Sequence, residues 1–254
     1  LGDARGIADA LLGLGHLTRH TGDLVRAAMF LEEGIAVADA AGDGISRSLL
    51  QEALGKVAAD QGDLDRAEAL FSEALRHYQL TGHERGTASI QTALGDVAHR
   101  RGEIEQAIGL VEDALAIVRR LRDAYAISAV LLELSGLVVN QGDHARAVRL
   151  IREGLALSWE YRLTAIAAAN LRALASLAAA MDQPERSARL YGATEAFCRS
   201  VGTPAPDSRH DLIEGSEDAM RAVLGEARFA AAWSMGQALT AEQAIAEALD
   251  VAAI

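Results

Sequence analysis

The stretch that decides the fold is Leu54-Gly55-Lys56-Val57-Ala58-Ala59-Asp60-Gln61-Gly62-Asp63-Leu64-Asp65-Arg66-Ala67-Glu68-Ala69-Leu70. Apolar residues recur at helical spacing on both sides of Gly62-Asp63. A glycine in the left-handed region ends a helix at little steric cost. The acid after it caps the next helix and complements its dipole. The stretch therefore reads as helix, tight corner, helix. The same corner recurs at Gly22-Asp23, Gly102-Glu103 and Gly142-Asp143, with a period of 40 residues. At the fifth position stands Asp182, expected to cap the helix that follows, with Pro184 in its first turn.

Working outward, other columns keep the register. Gly15, Gly55, Gly95, Ser135 and Ala175 lie seven residues before the corner, each preceded by leucine, from Leu14 to Leu174. Ala27, Ala67, Ala107, Ala147 and Ser187 lie five after it, and Gly34, Ala74, Ala114, Gly154 and Thr194 twelve after it. Small residues are expected where two helices approach closely. The large residues eight after the corner, Phe30, Leu70, Leu110, Leu150 and Leu190, are expected to fill the groove between helices. A second turn falls at Gly42, Gly82, Arg122, Arg162 and Gly202. A hairpin of this kind cannot bury its apolar face alone, so five of them must stack.

Leu54-Gly55, Gly62, Ala67 and Ala74 resemble the tetratricopeptide signature, over roughly residues 3 to 202. The resemblance implies an all-α fold, a tetratricopeptide-like right-handed superhelical solenoid of antiparallel helix pairs. The period of 40 exceeds the usual 34, and the proline that often ends the second helix is missing. Such long repeats resemble those of large bacterial regulators with an ATPase core and a LuxR-type DNA-binding domain.

Residues 203–254 leave the register and are expected to form a helical capping subdomain beside the five hairpins of residues 1–202. Asp207 or Ser208 is expected to cap a helix running to Leu224, with Gly225 ending it. A second helix is expected from Glu226 to Met235, and Thr240-Ala241-Glu242-Gln243 is a capping box opening a third. Gly192-Ala193-Thr194-Glu195, Leu224-Gly225-Glu226-Ala227-Arg228-Phe229 and Ala232-Trp233-Ser234-Met235-Gly236-Gln237-Ala238-Leu239-Thr240 resemble the C-terminal end of the same regulators. That implies ATP-binding and DNA-binding domains before Leu1, and the absence of an initial methionine fits a piece of a larger protein.

The chain has 254 residues, half of them hydrophobic but only 4% aromatic, and a formal net charge of −12. That sign gains nothing from counterion release on nucleic acid, and an anionic membrane repels it. Neither nucleic-acid contact nor membrane association is expected. The single Cys198 forms no internal disulfide and suits a cytoplasmic setting.

Catalytic chemistry is not evident. Gly55-Lys56 lacks the upstream glycine of a phosphate loop. His16 and His20 have metal-binding spacing but no third ligand nearby. No enzyme activity, cofactor or metal is expected. The concave face that the resemblance implies is built from the first helix of each repeat. It carries Asp9, His16, Arg19 and His20, then Glu52, Lys56 and Asp60, then Thr92, Asp96, His99 and Arg100, then Asn140, and finally Arg172 and Ser176. In repeats four and five it turns apolar, with Ala129, Leu132, Gly136, Val139, Ala169 and Ala179. Such a groove suits a protein or extended peptide segment, or a small effector. The asparagine ladder of quorum-peptide receptors is not reproduced, only Asn140 being suitably placed. The expected function is the sensor and interaction region of an ATP-dependent transcriptional regulator. A free-standing scaffold that gathers proteins through its groove is the alternative.

Overall fold

A computed structural model describes residues 3–206, 212 and 216–250. All regular structure among them is helical, and the contacts group into two units. The first, residues 1–121, holds α1 (Ala4–His20), α2 (Leu24–Ala41), α3 (Gly44–Asp60), α4 (Leu64–Thr81), α5 (Glu84–Arg100) and α6 (Ile104–Leu121). The second, residues 122–254, holds α7 (Ala124–Asn140), α8 (His144–Glu160), α9 (Thr164–Ala180), α10 (Pro184–Val201), α11 (Ser216–Leu224), α12 (Glu226–Gln237) and α13 (Ala241–Leu249). Within each unit the helices pair into antiparallel hairpins, α1 with α2, α3 with α4 and so on to α9 with α10. The three tail helices pack with hairpins four and five in one unit.

The corners form as their chemistry dictates. At Gly62, φ is +82°, and the Asp63 side chain accepts from the Arg66 N–H at 3.1 Å. The fifth corner corrects the expected cap. Asp182 does not cap α10; it occupies the left-handed position itself at φ +59°, and Gln183 stands at the N-cap without a side-chain bond to the helix backbone. Pro184 opens the helix, where its missing N–H costs nothing. At the second turns Arg122 and Arg162 also sit at positive φ, +53° and +56°, a conformation disfavoured for side chains larger than glycine.

The small columns mark close helix contacts. A Cβ added at Gly55 would lie 2.5 Å from the Phe71 ring, and one at Gly15 2.5 Å from Leu31. Ala27, Ala67, Ala107, Ala147 and Ser187 are fully buried. The expected groove-filling column is displaced by one residue. Phe30, Leu70, Leu110 and Leu150 are half-buried. Leu31, Phe71, Val111, Ile151 and Tyr191, nine after the corner, are the fully buried ones. Each contributes about 1.5–3 kcal/mol of burial. Leu190, by contrast, is buried in the unit that contains the tail.

The tail is joined to α10 backbone against backbone. A Cβ at Gly192 would lie 2.2 Å from the Trp233 carbonyl oxygen, and one at Gly236 1.9 Å from the Arg189 carbonyl oxygen. Only glycine fits at either position. Beside this crossing Trp233 stacks on Tyr191 with ring centroids 5.9 Å apart. Glu195 accepts from Trp233 Nε1 at 3.2 Å and Gln237 Nε2 at 2.7 Å. Gly225, at φ +71°, separates α11 from α12, which runs two residues past Met235 to Gln237. The Thr240–Gln243 capping box is complete in both directions. The Asp207 or Ser208 cap lies outside the described residues.

Candidate binding face

In the first unit, the first helices α1, α3 and α5 contact one another in sequence, and their polar residues link across the gaps. Arg19 Nε on α1 donates to Asp60 Oδ2 on α3 at 2.7 Å. Arg100 on α5 donates to the Ala59 carbonyl oxygen of α3 at 3.0 Å and pairs with Asp96 on its own helix at 2.9 Å. Glu52 Oε1 accepts from Lys56 Nζ at 2.7 Å and from Ser89 Oγ on α5 at 2.6 Å. Thr92 returns its hydroxyl to the Ala88 carbonyl of its own helix at 3.0 Å. Asp9, His16 and His20 are exposed on α1, and His99 is half-buried on α5. Eleven of the expected site residues thus share one unit, and seven of them join in this ladder or its helix-internal bonds.

The electrostatics follow from that crowding. Partial desolvation by its neighbours, then the nearby Lys56 and Arg19 cations, hold the His16 imidazole below its ordinary value, although the residue keeps an exposed edge. Tyr78 is fully buried, and burial followed by the Glu52 charge pushes its phenol up. Charges so paired leave hydrogen-bonding capacity on an accessible surface: a carboxylate holds more acceptor sites than Lys56 and Ser89 use, and an arginine fork has five donors. The face can meet both signs of charge on an incoming chain.

Ser89, the Ala59 carbonyl and Tyr78 were not foreseen. A signal for two of these links exists in the sequence. Arg19–Asp60 and Arg100–Ala59 are each separated by 41 residues, one period plus one, so the end of one first helix reaches the end of the next.

Asn140 and Arg172 belong to the second unit. Asn140 ends α7 and is exposed; Arg172 on α9 lies over the Tyr191 ring at 5.0 Å. The apolar stretch expected in repeats four and five is only partly accessible. Val139, Ala169 and Ser176 are buried, and Ala129, Leu132, Gly136 and Ala179 are half-buried. Part of the cover is the protein's own tail: α11 packs against α9, and Leu212 sits 3.7 Å from the position a Cβ of Gly136 would take. A cleft of about 540 Å³ does open in this unit, lined by Glu185, Arg186, Arg189 and Arg228 with Ala232 and Met235 as an apolar floor. Its arginines are offset by Glu185, Glu247 and Asp250. Cys198 is buried beside Glu195, and both effects push its thiol up, which disfavours a nucleophilic thiolate. Among the described residues no cluster of His, Cys, Asp and Glu could hold a metal, and no helix is long and apolar enough to cross a membrane.

Comparison with known proteins agrees with this fold. Residues 46–120 and 86–158 match the family model described as tetratricopeptide repeat. No curated protein sequence matches the chain. Among solved structures, a Rap protein complexed with Competence and Sporulation Factor aligns with TM-score 0.70 at 13% identity, over 96% of this chain and 74% of that one. A putative kinesin light chain repeat protein from Podosopora anserina aligns with TM-score 0.60 at 18% identity, over 76% and 95%. Pseudomonas aeruginosa pilF aligns with TM-score 0.60 at 16% identity, over 92% and 91%. These likenesses are of fold. Residues 46–158 thus match the tetratricopeptide repeat, and the helical hairpins and 40-residue columns extend the same pattern on either side of them.

Proposed function

We propose that the chain is a non-catalytic binding module whose partner, an extended protein or peptide segment, lies along α1, α3 and α5. The observation that carries this reading is the set of polar links along these helices, Arg19 with Asp60 and Glu52 with Ser89 across helices and Lys56–Glu52 and Arg100–Asp96 within them, which is accessible and bears both signs of charge. Mixed charges give a bound segment its register, and a planar arginine fork holds a carboxylate through two bonds. A solved structure of similar fold, the Rap protein, is of a complex with a factor named for competence and sporulation. Peptides selected from a random library and titrated by calorimetry test the reading. The double variant Arg19→Ala/Arg100→Ala is expected to bind at least tenfold more weakly, a loss of about 1.4 kcal/mol or more. Equal binding overturns the assignment.

The module serves, on the same proposal, as the cytoplasmic sensor arm of a bacterial ATP-dependent transcriptional regulator. What supports this is that the residues resembling the regulators' C-terminal end form one joint: Gly192 against Trp233, Gly236 against Arg189, and Glu195 holding Trp233 and Gln237. A native polypeptide that binds ATP, and whose hydrolysis responds to the selected peptide, is the expected outcome. A native polypeptide without nucleotide binding makes the chain a scaffold instead.

A further inference from the structure

The second hairpin holds a polar cavity of about 130 Å³ between α3 and α4. Gln51, only 4% exposed, lines it from α3, and its amide has no hydrogen-bond partner among the described residues. His77 lines it from α4, with its Nε2 buried and likewise unpartnered. Gly44 makes room for that ring, since a Cβ there would lie 2.5 Å from His77 Cε1. Arg76 stands exposed at the rim and has no ion pair among the described residues. Other hairpins fill these places differently. The column of His77 reads Val37, Ile117, Leu157 and Phe197, and that of Arg76 reads Ala36, Ala116, Ala156 and Ala196. The column of Gln51 is Leu11, Leu131 and Leu171, with glutamine again at Gln91. The hairpin fold therefore needs no polar group at these places, and an unpartnered buried one opposes folding.

We propose that this cavity binds a small oxyanion, a phosphate or carboxylate group. The three groups without partners can all donate. Gln51 offers its amide N–H groups, His77 its Nε2 when the proton sits there, and Arg76 a planar fork that holds two oxygens of one anion. The carboxylate in the lining, Glu73, is already turned to Arg47, which also pairs with Asp39 at 3.0 Å. The volume falls below the roughly 300 Å³ at which drug-sized sites begin, so the occupant is a group of few heavy atoms. None of the lining residues belongs to the candidate face on α1, α3 and α5, so this site stands apart from the peptide reading.

Titration of the whole chain with sodium phosphate, and separately with sodium acetate, tests this at fixed pH and ionic strength, with sodium chloride as the control. Histidine ring resonances report the site. Those of one of the chain's seven histidines are expected to shift saturably with phosphate or acetate and not with chloride. They are expected to be the resonances that His77→Leu removes. Tighter binding of phosphate assigns a phosphoryl group, and tighter binding of acetate a carboxylate. Arg76→Ala and His77→Leu give this hairpin residues that other hairpins carry, so both variants are expected to keep the parent's melting temperature. Each is expected to weaken binding, read by calorimetry, at least tenfold through the loss of one donor to the anion. His77 resonances that neither anion moves leave the cavity to water and overturn the proposal. Binding that persists undiminished in both variants overturns it as well.

Discussion

The inner face of α3 and α5 and the inner face of α9 occupy equivalent places in the register, yet they differ in access. On the first, Glu52, Lys56 and Asp96 are half-exposed, Glu52 paired with Lys56 and Asp96 with Arg100. On the second, Ala169 and Ser176 are buried, and α11 packs on the helix. A repeat column tells which side of a helix a residue takes. What lies upon that side is decided by segments outside the repeat, here the tail and its glycine crossing.

That contrast is breakable at the crossing. Gly236→Val forces a Cβ to within 1.9 Å of the Arg189 carbonyl oxygen, so α12 must leave α10. Overpacking of this kind is expected to destabilise the second unit by about 3 kcal/mol. It should lower its melting step, shift Trp233 emission to the red and raise dye binding, while peptide binding by the first unit persists. A smaller effect tests the hairpins themselves. Ala107 is fully buried between helices, and Ala107→Leu should cost about 1–3 kcal/mol in denaturant midpoint. The corners give a smaller change still. Gly62→Ala is expected to destabilise the first unit and Arg122→Gly to stabilise the second, each by about 1 kcal/mol, because both residues sit at positive φ.

The smallest effect is that of pH on the first unit. His16 titrates below its ordinary value of 6.5 in the folded chain. As pH falls through 6.5 the unfolded chain takes up the proton first, so the stability present above 6.5 declines below it. His16→Gln is expected to lose less melting temperature than the parent between pH 7.5 and 5.5. An equal loss removes His16 from the account.

The hairpins, corners and close-contact columns were legible because they answer to local rules: a left-handed glycine, an acid cap and a small residue where helices touch. The error at Asp182 shows the limit of those rules. Capping chemistry and tolerance of positive φ favour the same residue types, and the residue count of the loop, not the residue, decided which applied. The one-residue displacement of the core column, from Phe30 and Leu70 to Leu31 and Phe71, arose because both columns are apolar and only helix rotation separates them. In the candidate face the polar residues were readable, but their pairing was not. Glu52 with Ser89 and Arg100 with the Ala59 carbonyl depend on the distance between neighbouring first helices. The cover over α9 was not readable at all, since residues after 202 follow no column.

Hydrogen exchange with and without the selected peptide tests the central claim most directly. Bound peptide is expected to slow exchange in residues 9–20, 52–60 and 92–100 and to leave residues 129–140 and 169–179 unchanged. Protection confined to the second unit, with α1, α3 and α5 exchanging as they do alone, would contradict it.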